Sequence, residues 1–117
     1  MAASPADSTP TPLEFLESAA QSLAGVQRGF DEWQRACFPA RPPEFFALEL
    51  CGEAGELAND EKKLWKGRAV APGRLADEAA DVLIALVNYC NARGVDLGAA
   101  VAAKAREIER RRRAGTH

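Results

Sequence analysis

The feature that most constrains the fold is the alanine content, since alanine supplies 24 of the 55 apolar residues in this chain of 117. The large apolar residues, Leu, Val, Ile, Phe, Trp and Tyr, number only 27. Burying an alanine methyl contributes little, because transfer free energy follows buried apolar area at roughly 25 cal/mol per Å². Alanine is also the strongest helix former. The composition therefore predicts an all-α fold with close-packed helices and a thin core that an oligomer completes across an interface.

Several protein classes are disfavoured by the sequence. No run alternates apolar and polar residues as a half-buried strand does. No stretch reaches about 18 consecutive apolar residues, which predicts that a membrane is not a partner. The N-terminus lacks the basic and apolar segments of a secretory signal. The single histidine, His117, excludes catalytic triads and histidine metal sites. Three cysteines in apolar contexts predict buried free thiols in a reducing cytoplasm; they are Cys37, Cys51 and Cys90.

Proline, glycine and capping residues divide the chain. Residues 1–10, rich in Ser, Thr, Pro and Ala, are predicted to be a disordered tail, residues 11–113 a four-helix bundle, and residues 114–117 a C-terminal tail. The first helix is expected from an N-cap at Thr11 to about residue 37. The second spans about 44–66 and is capped by Gly67, the third spans about 74–92, and the fourth follows an N-cap at Asp96.

Acidic residues interrupt the apolar seam of the second helix. At steps of four and three, the seam contains Phe46, Leu50, Glu53, Leu57, Asp60 and Leu64. Glu49 and Glu56 lie within about 60° of Glu53 around the helix. These acids are therefore expected to form one edge that touches the buried stripe.

The third helix repeats this arrangement. Glu78 and Asp81 share a face, and the run 82–87 that follows is apolar on every side, which predicts a buried helix. A buried charge is costly unless it is paired or bound to a cation. If the two acidic faces meet, the converging carboxylates indicate a site for Mg²⁺, or alternatively Mn²⁺, that takes phosphates as further ligands. The simpler alternative is that both faces are solvated.

The two acidic segments also resemble a known family. Residues 47–67 and 75–84 are similar to the two metal-binding helices of the MazG-like nucleotide pyrophosphohydrolases, whose pattern is E-E-x-x-E followed by E-x-x-D. Gly52 replaces the first acid, as in the phage-type and dCTPase-like members. The resemblance covers about residues 28–113.

The resemblance implies a specific activity. It implies an all-α enzyme, usually a dimer or a tetramer, that hydrolyses a nucleoside triphosphate to the monophosphate and pyrophosphate with Mg²⁺. Carried over residue by residue, the catalytic and metal-binding residues are Glu53, Glu56, Glu78 and Asp81. The expected role is cleaning of the nucleotide pool in the cytoplasm.

The resemblance also suggests substrate ligands. Lys63, Lys104 and Arg111 stand at basic positions that could meet the triphosphate, with surface charges as the alternative. Many relatives carry an aromatic residue where this chain has Ala85, and an Asn in the last helix that it lacks. Asn88 is a candidate to substitute in part. Trp33 is a candidate to stack on the base.

Two other functions remain open on the sequence. One is a non-catalytic module of the same fold that binds a nucleotide or a protein partner. The other is a nucleic-acid binder that uses Arg110–Arg113, which is disfavoured because the chain outside Lys104–Arg113 has a net charge of −6. The preferred base and sugar, the choice between dimer and tetramer, the carboxylate that acts as base and the role of Glu49 also stay open.

Overall fold

A computed structural model describes residues 13–115, and its regular structure is entirely helical. The four helices are α1 (Leu16–Cys37), α2 (Pro43–Trp65), α3 (Arg74–Arg93) and α4 (Leu97–Arg113). No strand occurs in this range, so the prediction of an all-α chain with four helices is confirmed. In the part of the chain described, none of the helices combines the length and apolar character needed to cross a membrane.

The helix ends agree with the capping residues at most positions. Gly67 and Gly94 follow α2 and α3 with φ of 79° and 69°, the left-handed conformation that glycine adopts without strain. The Asp96 carboxylate accepts a hydrogen bond from the backbone N–H of Ala99 at 3.0 Å. The predicted caps at Gly67 and Asp96 are therefore confirmed.

The start of α1 differs from the prediction. Residues 13–15 form a turn, and the Leu16 N–H donates to the Leu13 carbonyl at 3.1 Å. This i to i−3 bond closes a tighter turn than the α-helical one, so the regular helix begins only at Leu16. The predicted N-cap at Thr11 and the predicted tail of residues 1–10 lie outside the described residues.

The chain divides into two compact units. One, here called the α2–α3 unit, is Val26–Val95; the other, here called the α4 unit, joins the described residues up to Gly25 with those from Asp96 onward. In the α2–α3 unit the two helices that name it pack along each other. Its buried apolar residues are Phe46, Ala85, Val87 and Cys90.

Hydrogen bonds join the C-terminal part of α1 to the end of α3 within the α2–α3 unit. The Gln27 side-chain N–H donates to the Asn91 side-chain oxygen at 3.1 Å and to the Val95 carbonyl at 2.8 Å. The Asn91 amide donates in return to the Gln27 carbonyl at 2.9 Å. Because Gln27 is buried, these bonds satisfy polar groups that burial would otherwise destabilise.

The α4 unit contains a direct approach of two backbones. Gly98, in the first turn of α4, is buried, and a Cβ atom placed on it would lie 2.4 Å from the Ala20 carbonyl oxygen of α1. Such a distance leaves no room for a side chain. Glycine at this position is therefore required by the packing of the two helices.

Two predictions of burial are wrong. Cys37 and Cys51 are exposed, and only Cys90 is buried. Cys37 ends α1, and Cys51 lies about 140° around α2 from the buried Phe46, so neither faces the core. The run 82–87 is not buried on every side, because Leu83 is 45% exposed. The α2 helix covers one face of α3 and leaves the side of Leu83 open.

Candidate functional site

A cavity of about 300 Å³ lies within the α2–α3 unit. One part of its wall is aromatic and the other is acidic. The aromatic wall consists of Trp33, Phe38 and Phe45. The acidic wall consists of Glu49, Glu53 and Asp81. A single cavity therefore offers flat apolar surfaces beside negatively charged oxygens.

The aromatic wall is built by the end of α1, the segment that follows it and the first turn of α2. The rings of Trp33 and Phe38 meet edge to face, with centroids 5.1 Å apart. The Arg41 guanidinium lies 4.7 Å from the centroid of the Phe45 ring. Trp33 remains 51% exposed, so its ring is accessible. Exposed rings beside a guanidinium can stack on a planar heterocycle.

The acidic wall joins α2 to α3. Burial and, after it, the negative charge of Asp81 raise the pKa of the Glu53 carboxyl, with Glu56 and Glu49 adding to the shift. The Glu53 Oε2 atom is buried and has no hydrogen-bond partner among the described residues. A bound water or ion can satisfy a buried carboxylate oxygen that has no partner in the protein.

A second group of charges connects the same two helices. Asp60 of α2 is 1% exposed, and its Oδ2 accepts a hydrogen bond from the Arg74 Nε at 2.5 Å. The Nη2 atom of the same Arg74 guanidinium lies 3.0 Å from the Glu78 Oε1. Lys63 donates to the Asp60 Oδ1 at 3.4 Å. Arg74 therefore bridges the two buried carboxyls, one from each helix.

The two carboxyls of this group differ in proton affinity. The hydrogen bond from Arg74 holds the pKa of Asp60 below its usual range. Burial, followed by a hydrogen bond with Asp60, raises the pKa of Glu78. Glu78 is 4% exposed, and its Oε2 has no hydrogen-bond partner in the described part of the chain. One buried oxygen of Glu78 thus has the Arg74 guanidinium as its partner, and no N–H or O–H group of the described residues donates to the other.

The predicted metal-binding acids are brought near each other but not into one cage. Glu53 and Asp81 line the cavity, whereas Glu78 is paired with Arg74. Glu56 is exposed, and its charge contributes to the raised pKa of both Glu53 and Glu78. Within residues 13–115, no group of three or more His, Cys, Asp or Glu side chains is placed so that it could hold a metal ion.

The donor atoms nevertheless fit a divalent cation in their chemistry. The two orphaned buried atoms, Oε2 of Glu53 and Oε2 of Glu78, are carboxylate oxygens on facing helices. Oxygen donors without histidine or cysteine suit Mg²⁺ or Mn²⁺. A cation would supply the positive charge that these atoms lack.

The predicted substrate ligands are distributed over both units. Trp33 and Asn88 line the cavity. Lys63 is held against the buried Asp60. Lys104 and Arg111 belong to the α4 unit, where both form ion pairs with Glu107.

Sequence reasoning missed two arginines. Arg41 lies in the proline-rich segment between α1 and α2, whose side chains have no periodicity from which to infer a face. Arg74 begins α3, and its position four residues before Glu78 is the spacing of a helical ion pair. That spacing was a usable signal.

Comparisons of the chain with protein-family models, with curated proteins and with solved structures find no match.

Proposed function

We propose that this protein is a Mg²⁺-dependent hydrolase that converts a nucleoside triphosphate, standard or modified, to the monophosphate and pyrophosphate. The observation that carries the proposal is the joining of an aromatic wall to the acidic pair Glu53 and Asp81 in one cavity. A nucleotide has the same two parts, a planar base and a chain of phosphates that reaches carboxylates through a cation. The resemblance of the two acidic segments to the MazG-like family supports the same activity.

Different residues are proposed to bind the base, the sugar and the phosphates of the substrate. Trp33 offers an exposed ring face for the base, and Asn88 offers an amide that can hydrogen-bond to the sugar or the base. Lys63 supplies a positive charge for the phosphates on the same helix as Glu56. Water adds to phosphorus and gives up a proton to one of the carboxylates, while the P–O bond that joins the α- and β-phosphates breaks and leaves the monophosphate and pyrophosphate.

The carboxylates proposed to hold the cation are Glu53, Glu56, Glu78 and Asp81. When bound, Mg²⁺ neutralises charge on the triphosphate and lowers the pKa of a coordinated water. The protein's own contribution is to hold oxygen donors on two packed helices. The buried and unpartnered Oε2 atoms of Glu53 and Glu78 support this role.

The experiment is an assay of a panel of NTPs and dNTPs with Mg²⁺, in which pyrophosphate and monophosphate are both measured. Outer-shell partners of a metal typically contribute about 10–100-fold to affinity or activity. Removal of a ligand is expected to cost at least about 100-fold, so Glu53→Gln and Asp81→Asn should both abolish pyrophosphate release.

The matched control is Glu61→Gln, which removes an exposed carboxylate from the same helix, α2. It is expected to keep wild-type activity. Full activity in either Glu53→Gln or Asp81→Asn would refute the assignment of the metal ligands. Substitution of Mn²⁺ for Mg²⁺ is expected to support turnover, and chelation of the metal to stop it.

A non-catalytic module that binds a nucleotide or a partner protein is the second candidate. It is favoured by the ion pair between Arg74 and Glu78, because this pair occupies one oxygen of a proposed ligand. This candidate predicts heat of Mg²⁺-dependent nucleotide binding in calorimetry with no pyrophosphate released. Turnover of any nucleotide in the panel would dismiss it.

The proposal includes a homo-oligomer, either a dimer or a tetramer, in the cytoplasm, with no nucleic-acid partner. The exposed large apolar side chains of α2 support self-association, since Leu48 is 74% and Trp65 84% exposed. Sedimentation velocity tests it. A monomer at micromolar concentration would contradict the oligomer.

A further inference from the structure

We propose that Arg74 and Asp60 are positioning residues that fix the Glu78 carboxylate so that its Oε2 atom alone faces a divalent cation. The inference rests on the proposed function, because it assigns a role toward the same cation. Nothing in the acidic motif that led to the proposed function includes Arg74.

The geometry forms a relay from α2 to α3. Asp60 is almost completely buried and binds the Arg74 Nε through its Oδ2. The Arg74 Nη2 then reaches the Glu78 Oε1 at 3.0 Å. The planar guanidinium joins both bonds rigidly, so the position of Asp60 on α2 sets the position of a Glu78 oxygen on α3.

The two oxygens of Glu78 are used differently as a result. Oε1 has the guanidinium as its partner, whereas Oε2 is buried and unpartnered in the described residues. A buried carboxylate oxygen without a partner destabilises the folded chain unless a ligand satisfies it. Arg74 thus selects which oxygen is offered to a cation. Outer-shell groups that orient a ligand commonly act in this way.

The positioning role predicts the direction in which the cation affinity changes when Arg74 is removed. Removing Arg74 also removes a positive charge near the site, and by Coulomb's law alone this would strengthen cation binding. If Arg74 orients Glu78, its removal weakens binding instead. We expect Arg74→Gln to weaken Mn²⁺ binding by about tenfold, the lower end of the range for outer-shell partners. Asp60→Asn is expected to weaken it similarly.

The experiment measures Mn²⁺ binding to the full chain without nucleotide, from the loss of the electron paramagnetic resonance signal of free Mn²⁺. The single variants are Arg74→Gln, Arg74→Lys and Glu78→Gln. The double variant combines Arg74→Gln with Glu78→Gln. Lysine keeps the charge but lacks the planar fork of donors that fixes two carboxyls in one geometry, so Arg74→Lys is expected to bind nearly as weakly as Arg74→Gln. The matched control is Arg93→Gln at the other end of α3, where a half-exposed arginine lies 4.0 Å from an exposed Glu44.

The double variant separates positioning from general destabilisation. If Arg74 acts through Glu78, the double variant binds Mn²⁺ no more weakly than Glu78→Gln alone. Additive losses, tighter binding in Arg74→Gln, or wild-type affinity in Arg74→Lys would each overturn the inference. Thermal melting of every variant checks that the protein remains folded.

The outcomes also distinguish this inference from the proposed function. If Glu53→Gln and Glu78→Gln weaken Mn²⁺ binding but Arg74→Gln does not, the positioning role fails and the metal site stands. If the wild-type chain binds no Mn²⁺, the metal premise of the proposed function fails, and the positioning role fails with it.

Discussion

Replacing Gly98 with alanine tests the close approach of the α4 backbone to the α1 backbone at Ala20. The added Cβ would lie 2.4 Å from the Ala20 carbonyl oxygen and 2.8 Å from the Ala20 Cα. Ordinary van der Waals contact begins near 3.4 Å, so the two backbones must separate by about 1 Å. Overpacking of this kind typically costs about 1–3 kcal/mol. Because the atoms met belong to the Ala20 backbone and cannot rotate aside, the upper part of this range applies, and a gain of about 1 kcal/mol from the higher helix propensity of alanine leaves a net loss of about 1–2 kcal/mol.

Thermal unfolding followed by circular dichroism measures this loss. For a domain of this length, about 1 kcal/mol shifts Tm by about 4 °C, so Gly98→Ala should lower Tm by about 4–8 °C. The matched control is Gly29→Ala in α1, where an added Cβ meets nothing within 4 Å. There alanine should stabilise the protein by about 0.5–1 kcal/mol. A Gly98→Ala protein that melts at the wild-type temperature or above would refute the close approach.

Three other predictions concern single residues. Burial raises the pKa of the Cys90 thiol, so an aromatic disulfide reagent should label the two exposed cysteines rapidly and Cys90 only on unfolding. Asp96→Ala removes the α4 N-cap and should cost about 1 kcal/mol in urea unfolding, whereas Asp96→Ser should restore most of it. The hydrogen bond from Arg112 lowers the pKa of Glu109 in the folded protein, so its contribution to stability is present above the unfolded pKa and is lost as pH falls through the folded pKa. In Glu109→Gln, Tm should therefore fall less steeply as the pH is lowered through the acidic range. An unchanged dependence of Tm on pH would contradict the stabilising role of the Glu109 carboxylate.

The sequence predicted the helices well where local chemistry sets their ends. Gly67 and Asp96 act within their own turns, through a left-handed φ and a side-chain cap. Exposure was harder to predict because it depends on which neighbours cover a helix. Leu83 stands in an apolar run and is nevertheless exposed, and Cys51 lies opposite the packed face of α2.

The candidate site was predictable only in part, for a similar reason. Helical spacing indicated that Glu53 and Asp81 lie beside buried stripes, and the structure brings them to one cavity. Spacing does not show whether a buried acid meets another acid or an arginine. Arg74 contacts the carboxyls of both Asp60 and Glu78 and so joins them. Its position is set by the turn between α2 and α3. The aromatic wall depends likewise on a loop path that periodicity does not describe.

The division of the chain has a consequence for the order of folding. The α2–α3 unit is one uninterrupted stretch, so a ribosome delivers all of it before α4 is made. The α4 unit joins segments separated by that whole stretch, and it cannot form until Asp96 and the residues beyond it have emerged. Closing so long a loop costs entropy that local contacts do not. The proposed catalytic carboxylates therefore lie in the unit that can fold first during synthesis. The contact between Gly98 and Ala20 lies in the unit that can fold only later.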